Sequence, residues 1–194
     1  MKAVLERRQA VTELLAERGD LLILTGLGSA SYDVFAAGDD PRNFYLWGAM
    51  GSAAMLGLGL ALAQPARPIL VLTGDGEQLM DLGGLATIGA RQPANLSVVV
   101  LDNGHYGETG MQQSHTSFGI SLPGVAAACG IRDSREIVDV EGLRELRALL
   151  TDTTAGPRLA SIRVQANSPP RVLPPKDGVY LKNRFRQCLG YPAL

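Results

Sequence analysis

The sequence has little cysteine and almost no net charge. Two cysteines, Cys129 and Cys188, stand among 194 residues, which excludes a dense disulfide framework and offers no metal-like spacing. We therefore expect reduced thiols in a cytoplasmic protein. The net charge of −1 at pH 7 gives no electrostatic basis for nucleic-acid binding. Long runs of like charge are few, and a hydrophobic content of 46% argues for one globular domain rather than a disordered chain.

Neither a secretory signal nor a membrane span is expected. Residues 1–20 have the pattern of an amphipathic charged helix instead of an apolar signal core. Residues 44–66 carry no charged side chain and are long enough to cross a bilayer. Four glycines interrupt that stretch, however, and it begins with the strand-like Phe44–Trp47. A buried strand, a loop and a helix therefore explain it better.

Hydrophobic periodicity predicts alternating strands and helices. We expect strands at 20–25, 43–47, 69–73, 96–102, 136–140 and 159–164, and helices at 1–20, 32–37, 51–64, 77–90, 123–129 and 141–150. This alternation, with nearly continuous apolar strands, predicts a doubly wound α/β fold: a mostly parallel sheet with helices on both faces. We assign residues 1–167 to this domain. Residues 168–194 begin with several prolines and are predicted to form an extended tail, packed on this chain or on a neighbour.

Two oxygen-bearing side chains follow neighbouring strands of this predicted sheet. Asp75 lies between Gly74 and Gly76 after strand 69–73, and Asn103 follows strand 96–102. Ligands in such folds bind at the carboxyl ends of the strands, so the two side chains can meet there. Mg²⁺ prefers oxygen ligands and commonly combines one or two protein oxygens with phosphate oxygens. The pattern therefore predicts a magnesium–diphosphate site, where glycines let the backbone approach closely.

These motifs resemble the thiamine-diphosphate-dependent enzymes, whose signature is Gly-Asp-Gly followed after about this interval by Asn. The resemblance covers about residues 20–165 and matches the diphosphate-binding domain of that family. It implies that Asp75 and Asn103 ligate Mg²⁺ together with the backbone carbonyl of His105. Asp102 is a departure, because many members have a second Asn there. The change is tolerable, since only the following position ligates the metal in the family.

A second match lies in Trp47-Gly48-Ala49-Met50-Gly51. The resemblance implies that Met50 wedges between the two rings of the cofactor and enforces a bent conformation. It also implies that the Gly48 carbonyl accepts a hydrogen bond from the aminopyrimidine ring. Alternatively, Met50 is an ordinary core residue, since methionine fills irregular gaps. Because the metal motif also occurs at the matching position in the sequence, we favour the wedge role for Met50 over the core role.

The remaining cofactor-binding candidates surround these motifs. Ser29 and Ser31 follow the first predicted strand in a dinucleotide-like loop, but Ser31 replaces its third glycine. We therefore expect these serines to help hold a diphosphate. Tyr106 and Glu77 complete the set. Because a small or hydroxylic residue is usual at the position of Glu77, we expect its carboxylate to face solvent or to cap a helix.

Several polar residues after Asn103 are candidates for chemistry. His105 and His115 could transfer protons or recognise a substrate carboxylate, although His115 could equally be a surface residue. Glu108 is a candidate active-site acid. The basic cluster at 182–186 could bind an anion, but a solvated or interface-forming tail is the favoured interpretation.

The resemblance also indicates what this chain does not supply. Family members need a glutamate from a separate pyrimidine-binding domain to activate the cofactor, and the predicted domain here is only the diphosphate-binding one. The leading hypothesis is the β subunit of a two-chain 2-oxoacid decarboxylase that resembles the sulfopyruvate and phosphonopyruvate decarboxylases. It would act on a small 2-oxoacid in a hetero-oligomer with an α subunit. A carboligase subunit resembling acetolactate synthase and a non-catalytic cofactor-binding partner remain open, and a dehydrogenase is a remote alternative.

Overall fold

The computed structural model describes residues 5–194 as alternating strands and helices. The strands are β1 Leu22–Thr25, β2 Asn43–Tyr45, β3 Ile69–Gly74, β4 Leu96–Asp102, β5 His105–Tyr106, β6 Gln112–Gln113, β7 Asp133–Ile137 and β8 Arg158–Arg163. The helices are α1 Arg7–Leu15, α2 Ser29–Ala36, α3 Ala53–Ala63, α4 Asp75–Met80, α5 Leu82–Arg91, α6 Leu122–Ala128, α7 Val140–Leu149 and α8 Gly178–Cys188. A short 3-10 helix spans His115–Phe118.

Six of these strands form one parallel sheet of order β2-β1-β3-β4-β8-β7. The chain moves outward from β1 to β2 and then returns to β3 on the other side of β1. This reversal is a topological switch point, where ligands of such sheets bind beyond the carboxyl ends of the strands. The prediction of a doubly wound parallel sheet is confirmed.

Apolar side chains cover both faces of the sheet. Every residue of β4 is buried, as is every residue of β3 before Gly74, which is the pattern of central parallel strands. Helices α1, α2 and α7 contribute to the core on one face, and α3, α5 and α6 contribute to the core on the other. The strand ends are therefore held rigidly, and the loops beyond them are positioned by a packed scaffold.

Two predicted helices differ from the observed ones. Helix α1 begins only at Arg7, and Leu5 instead pairs with Val164 in a parallel bridge; residues 1–4 of that prediction lie outside the described residues. The predicted helix 77–90 starts earlier, at Asp75, and is broken at Asp81 into α4 and α5. Asp81 has φ −129° and accepts a hydrogen bond from the Gly84 amide, so it caps a new helix instead of continuing the old one.

The prediction of an extended C-terminal tail is wrong for residues 178–188, which form α8. The Asp177 carboxylate caps this helix by accepting hydrogen bonds from the Val179 and Tyr180 amides. Leu181 and Phe185, four residues apart, are buried, and the Phe185 ring lies 5.7 Å from that of Phe44 in an edge-on contact. Helix α8 thus covers β2, the edge strand of the sheet.

The apolar stretch 44–66 resolves as predicted into part of β2, a loop and α3. Across residues 5–194, no helix combines the length and the apolar character that crossing a bilayer requires. Residues 104–121, which follow β4, contain the β5–β6 hairpin and the 3-10 helix. Cys129 and Cys188 are both free thiols, as expected.

Removal of the Phe185 ring tests whether α8 is part of the core. Because Phe185 is 8% exposed, Phe185→Ala should lower the free energy of unfolding by roughly 3 kcal/mol, as measured by urea denaturation. Val179→Ala is the control on the same helix, since Val179 is 62% exposed and should change stability by less than about 0.5 kcal/mol. Equal effects of the two substitutions would show that α8 is not packed as described.

Candidate functional site

A cavity of about 140 Å³ lies beyond the carboxyl ends of β1, β3 and β4, beside the switch point. Its lining comes from five parts of the chain: Arg7, then Leu27, Ser29 and Ala30, then Met50, then Gly74–Glu77, and finally Leu101, Asn103 and His105–Thr109. All but two of the predicted site residues line this cavity. The exceptions are Ser31 and Gly48.

The structure does not bring Ser31 to the cavity. Its side chain is buried, lies 2.6 Å from the Thr25 hydroxyl and donates to the Gly26 carbonyl at 2.8 Å. The Ser31 hydroxyl therefore stabilises the loop through buried hydrogen bonds, whereas Ser29 lines the cavity. Gly48 lies outside the lining with φ +129°, so the role of its carbonyl stays a prediction.

Asp75 places a buried carboxylate at the centre of the site. It directly follows β3 and is 2% exposed. Its Oδ2 accepts hydrogen bonds from the hydroxyls of Ser114 and Thr116, the latter at 3.2 Å. Burial raises the pKa of Asp75, and the nearby charge of Asp102 raises it further, while the hydroxyl bonds act in the opposite direction. No cation within residues 5–194 is among the groups that shift this pKa, so a metal ion is the kind of partner that would stabilise the carboxylate.

A chain of polar contacts connects Asp75 with the surface. Thr116 also donates to Asp102 Oδ1 at 2.8 Å, and Asp102 Oδ2 accepts from Arg163 at 2.6 Å. Asp102 further accepts a hydrogen bond from the Gly104 amide at 3.0 Å. The departure from Asn at position 102 thus has a structural reason, because Arg163 supplies a counter-charge for the acid. The sequence did not reveal the hydroxyl partners, since nothing in a Ser/Thr-rich loop shows which members fold back onto a strand end.

Asn103 and His105 form a tight turn at the end of β4. The Asn103 side-chain oxygen accepts from the His105 amide at 2.8 Å, and the His105 ring nitrogen Nδ1 lies 2.9 Å from the Asn103 carbonyl. An amide oxygen has two lone pairs, so this bond leaves one for a further partner such as a metal. The glycine at 104 is required here, because its φ is +71°.

Tyr106 packs against the Gly-Asp-Gly motif. A Cβ added to Gly76 would lie 2.5 Å from the Tyr106 ring, so only glycine fits beneath it. A Cβ added to Gly74 would meet nothing within 4 Å. Gly74 therefore leaves open the space in which a phosphate could approach the backbone.

The expected orientation of Glu77 is wrong. Its side chain is 4% exposed and turns inward, where it accepts hydrogen bonds from the Leu27 amide at 3.1 Å, the Gly51 amide at 3.3 Å and the Thr73 hydroxyl at 2.7 Å. Burial raises the pKa of Glu77, and these hydrogen bonds oppose the shift. The sequence gave no sign of this, because the three donors come from three separate loops or strand ends.

Glu108 reaches the cavity as part of an ion pair. Its Oε2 accepts from Arg171 at 2.8 Å, and the Ser29 hydroxyl lies 3.5 Å from Oε1. The segment before α8 therefore contacts this site. It also holds the loop of Met50, since the Trp47 indole donates to the Pro175 carbonyl at 2.7 Å.

Arg7 is a lining residue that sequence reasoning missed. It is 5% exposed, and its Nε pairs with Oδ2 of Asp33, while Nε of Arg8 lies 3.1 Å from Oδ1. Two arginines thus share one fully buried carboxylate, which gives this end of the cavity a net positive charge. The only sequence signal is the Arg-Arg pair at the start of α1, which looks like an ordinary solvated face.

Two further candidates lie away from the cavity lining. His115 is exposed in the 3-10 helix, as its surface interpretation predicts. In the basic cluster at 182–186, Arg184 pairs with Asp39 at 2.6 Å and stacks near Tyr45 and Tyr180. That arginine joins α8 to the edge of the sheet within this chain.

A buried carboxylate and a side-chain amide thus follow two adjacent strands, beside a cavity at the switch point of a parallel sheet. Residues 28–164 match the family described as thiamine pyrophosphate enzyme, C-terminal TPP binding domain, and the chain belongs to this family. Its cofactor is therefore thiamine diphosphate, another name for thiamine pyrophosphate.

Similar proteins agree with this placement. The chain is 40% identical over 194 residues to a phosphonopyruvate decarboxylase of Streptomyces viridochromogenes, a match that covers 96% of this chain and 47% of the relative. It is 32% identical over 187 residues to the sulfopyruvate decarboxylase subunit beta of Methanococcus maripaludis, with 95% and 98% covered. The chain thus spans about half the length of the phosphonopyruvate decarboxylases it matches.

A solved structure shows the same fold. The thiamine diphosphate-dependent 4-hydroxybenzoylformate decarboxylase of Rhodococcus jostii RHA1 superposes with a TM-score of 0.70 over 86% of this chain and 34% of its own. Sequence identity is 19%, so this likeness concerns the fold alone.

Substitution of Arg7 tests the buried charge cluster. Arg7→Met removes the more buried partner of Asp33 and should lower the free energy of unfolding by roughly 3 kcal/mol, because it leaves a buried carboxylate underpaired. Arg8→Met is the matched control, since the Arg8 side chain is 25% exposed and should lose about 1 kcal/mol or less. Chemical denaturation of both variants measures this, and a larger loss for Arg8→Met would contradict the cluster.

Proposed function

We propose that this chain is the β subunit of a two-chain, Mg²⁺-dependent 2-oxoacid decarboxylase that binds the diphosphate end of thiamine diphosphate. The observation that carries the proposal is the joint position of Asp75, Asn103 and Met50 around one cavity. Gly74 and Leu101 pair across β3 and β4. Asp75 and Asn103, which follow the two strands, therefore lie at the same carboxyl end of the sheet.

The donor set fits a hard cation. The Asp75 carboxylate and the Asn103 amide oxygen are the ligand types that Mg²⁺ prefers, and the metal commonly takes its remaining ligands from phosphate and water. The His105 carbonyl is the third protein ligand in this proposal. Ser29 and the first amides of α2 would hold phosphate oxygens, because a helix start favours anions.

The protein contributes orientation and shelter to the reaction. When bound, thiamine diphosphate supplies the carbanion-stabilising centre for loss of CO₂ from a 2-oxoacid. Met50, 40% exposed at the cavity, would hold the cofactor in its bent form, and the Gly48 carbonyl would orient its aminopyrimidine ring. His105 and Glu108 are the candidates for proton transfer, and Glu108 must part from Arg171 to take that role.

A second chain completes the active centre in this proposal. An α subunit would supply the pyrimidine-binding domain and the activating glutamate. Two observations support it: a relative named subunit beta is covered over 98% of its length, and apolar side chains stay exposed at Met50 in the cavity lining and at Met55, Leu56 and Met80. Exposed apolar surface of this kind marks interfaces. The free thiols fit the predicted cytoplasmic location.

The names of the relatives point to the substrate class, a small 2-oxoacid similar to phosphonopyruvate or sulfopyruvate. Assays of the chain with its partner subunit on a panel of 2-oxoacids test the proposal. Release of CO₂ and an aldehyde supports the decarboxylase. A hydroxyketone product would support a carboligase instead, and activity independent of this chain would support a non-catalytic partner.

The metal assignment predicts that Asp75→Asn loses Mg²⁺-dependent cofactor binding. Affinity should fall by roughly 100-fold or more, since even the outer partners of metal ligands contribute 10–100-fold. Calorimetric titration with thiamine diphosphate and Mg²⁺ measures the change. Asp81→Asn is the control, because Asp81 caps α5 and does not line the cavity; retained affinity in Asp75→Asn would refute the assignment.

The wedge assignment predicts that Met50→Ala impairs turnover more than cofactor binding. Turnover should fall by roughly 10- to 100-fold, because misplaced reacting atoms cost that much, while cofactor affinity stays within about threefold. Val140→Ala serves as the control, since Val140 is similarly exposed at 43% but lies on α7, outside the cavity lining. Unchanged turnover in Met50→Ala would make Met50 an ordinary packing residue.

A further inference from the structure

Glu77 joins three separate segments at the cavity. Its two carboxylate oxygens accept hydrogen bonds from different segments. Oε1 accepts from the Gly51 amide, and Oε2 accepts from the Leu27 amide and the Thr73 hydroxyl. Thr73 belongs to β3, which is fixed in the centre of the sheet. Through Glu77, the loops after β1 and after β2 are therefore tied to a rigid strand.

The neighbouring glycines are built around this carboxylate. A Cβ added to Gly26 would lie 1.7 Å from Glu77 Oε2, so any side chain at position 26 would displace the carboxylate. Gly51 has φ +96°, the conformation that presents its amide and that glycine adopts without strain. Two loops thus leave room for Glu77 at the points where it contacts them.

Both tied loops carry residues of the proposed site. Met50 directly precedes Gly51, and Leu27 leads into Ser29; all three of Leu27, Ser29 and Met50 line the cavity. The proposed ring-bending residue and the proposed phosphate-binding loop are therefore connected through one side chain.

Burial of the Glu77 carboxylate lowers the stability of the fold. Glu77 is buried, and the partners described above are neutral groups, whereas buried charges are ordinarily paired with an opposite charge. A small residue at position 77 would avoid that cost but would leave the Leu27 and Gly51 amides without their present acceptor. A constraint kept at such a cost belongs where geometry is critical.

We propose that Glu77 is a positioning residue that fixes Met50 relative to the phosphate-binding loop. It acts through the Leu27 and Gly51 amides and does not itself contact the cofactor. This inference rests on the proposed function for the role of Met50, but the loop constraint can be measured on the chain alone.

The substitution Glu77→Gln should release one of the two loops that Glu77 holds and keep the other. Gln has one acceptor oxygen, and its amide nitrogen must then face a donor. Turning the nitrogen toward Gly51 sacrifices one hydrogen bond and keeps two, so the tie to Gly51 is the one released. Hydrogen–deuterium exchange should become roughly threefold to tenfold faster at amides 46–52, the effect of losing one hydrogen bond, with little change at residues 26–28.

A matched control lies at the amino end of β4, away from the carboxyl ends of the strands. Asn95 is 4% exposed, and its side-chain nitrogen lies within hydrogen-bond distance of the carbonyls of Ala61, Gln64 and Arg67. Asn95→Ala removes an equally buried side chain that also connects separate segments, so it should lower stability without selectively speeding exchange at 46–52. Gly26→Ala, whose Cβ would displace the whole carboxylate from the Oε2 side, should speed exchange at 26–28 as well as at 46–52, and it keeps the test available if Glu77→Gln fails to fold.

Coupling to Met50 distinguishes positioning from simple stability. In the complex with the partner subunit, Glu77→Gln should lower turnover by roughly 10- to 100-fold, and the double variant with Met50→Ala should be no slower than the slower single variant. Additive losses, or faster exchange spread evenly over the chain, would overturn the inference. Should the wild-type complex not decarboxylate 2-oxoacids at all, the proposed function fails while the exchange pattern still decides the loop constraint.

Discussion

Two buried carboxylates at the carboxyl edge of a parallel sheet constrain everything around them. A carboxylate that is removed from water must find donors or a cation, and Asp75 and Glu77 solve this in different ways. Asp75 accepts hydrogen bonds from the hydroxyls of Ser114 and Thr116 and lines the cavity, which suits it to a metal. Glu77 receives backbone amides from two loops and so organises the walls of the cavity. The Asp75 carboxylate therefore remains available to a ligand, whereas the Glu77 carboxylate is occupied by hydrogen bonds within the protein.

The scaffold explains how such acids can be tolerated. Strand β3 is buried on both faces and paired on both sides, so its end does not yield when charge is buried there. The cavity opens where the chain reverses direction between β1 and β3, the place at which α/β sheets bind ligands. The C-terminal segment adds further support, because it contacts both Trp47 and Glu108.

The sequence was sufficient for the fold class and for most of the cavity lining, because strand periodicity and residues placed after strand ends are local signals. It failed where partners are distant in sequence. Glu77 was expected to face solvent, since nothing local links it to Leu27 or Gly51. Ser31 was assigned to the phosphate, although its hydroxyl is bound to Thr25 and Gly26. Helix α8 was missed because the prolines before it dominated the composition of the segment.

The most direct measurement is a crystal structure of the chain with its partner subunit, thiamine diphosphate and Mn²⁺ in place of Mg²⁺. Anomalous scattering locates Mn²⁺ independently of any assumed position. The account predicts a single peak in the cavity, coordinated by the Asp75 carboxylate, the Asn103 side-chain oxygen, the His105 carbonyl and phosphate oxygens, with Met50 between the two cofactor rings. A metal bound elsewhere, or a diphosphate held without contact to Asp75 and Asn103, would contradict it.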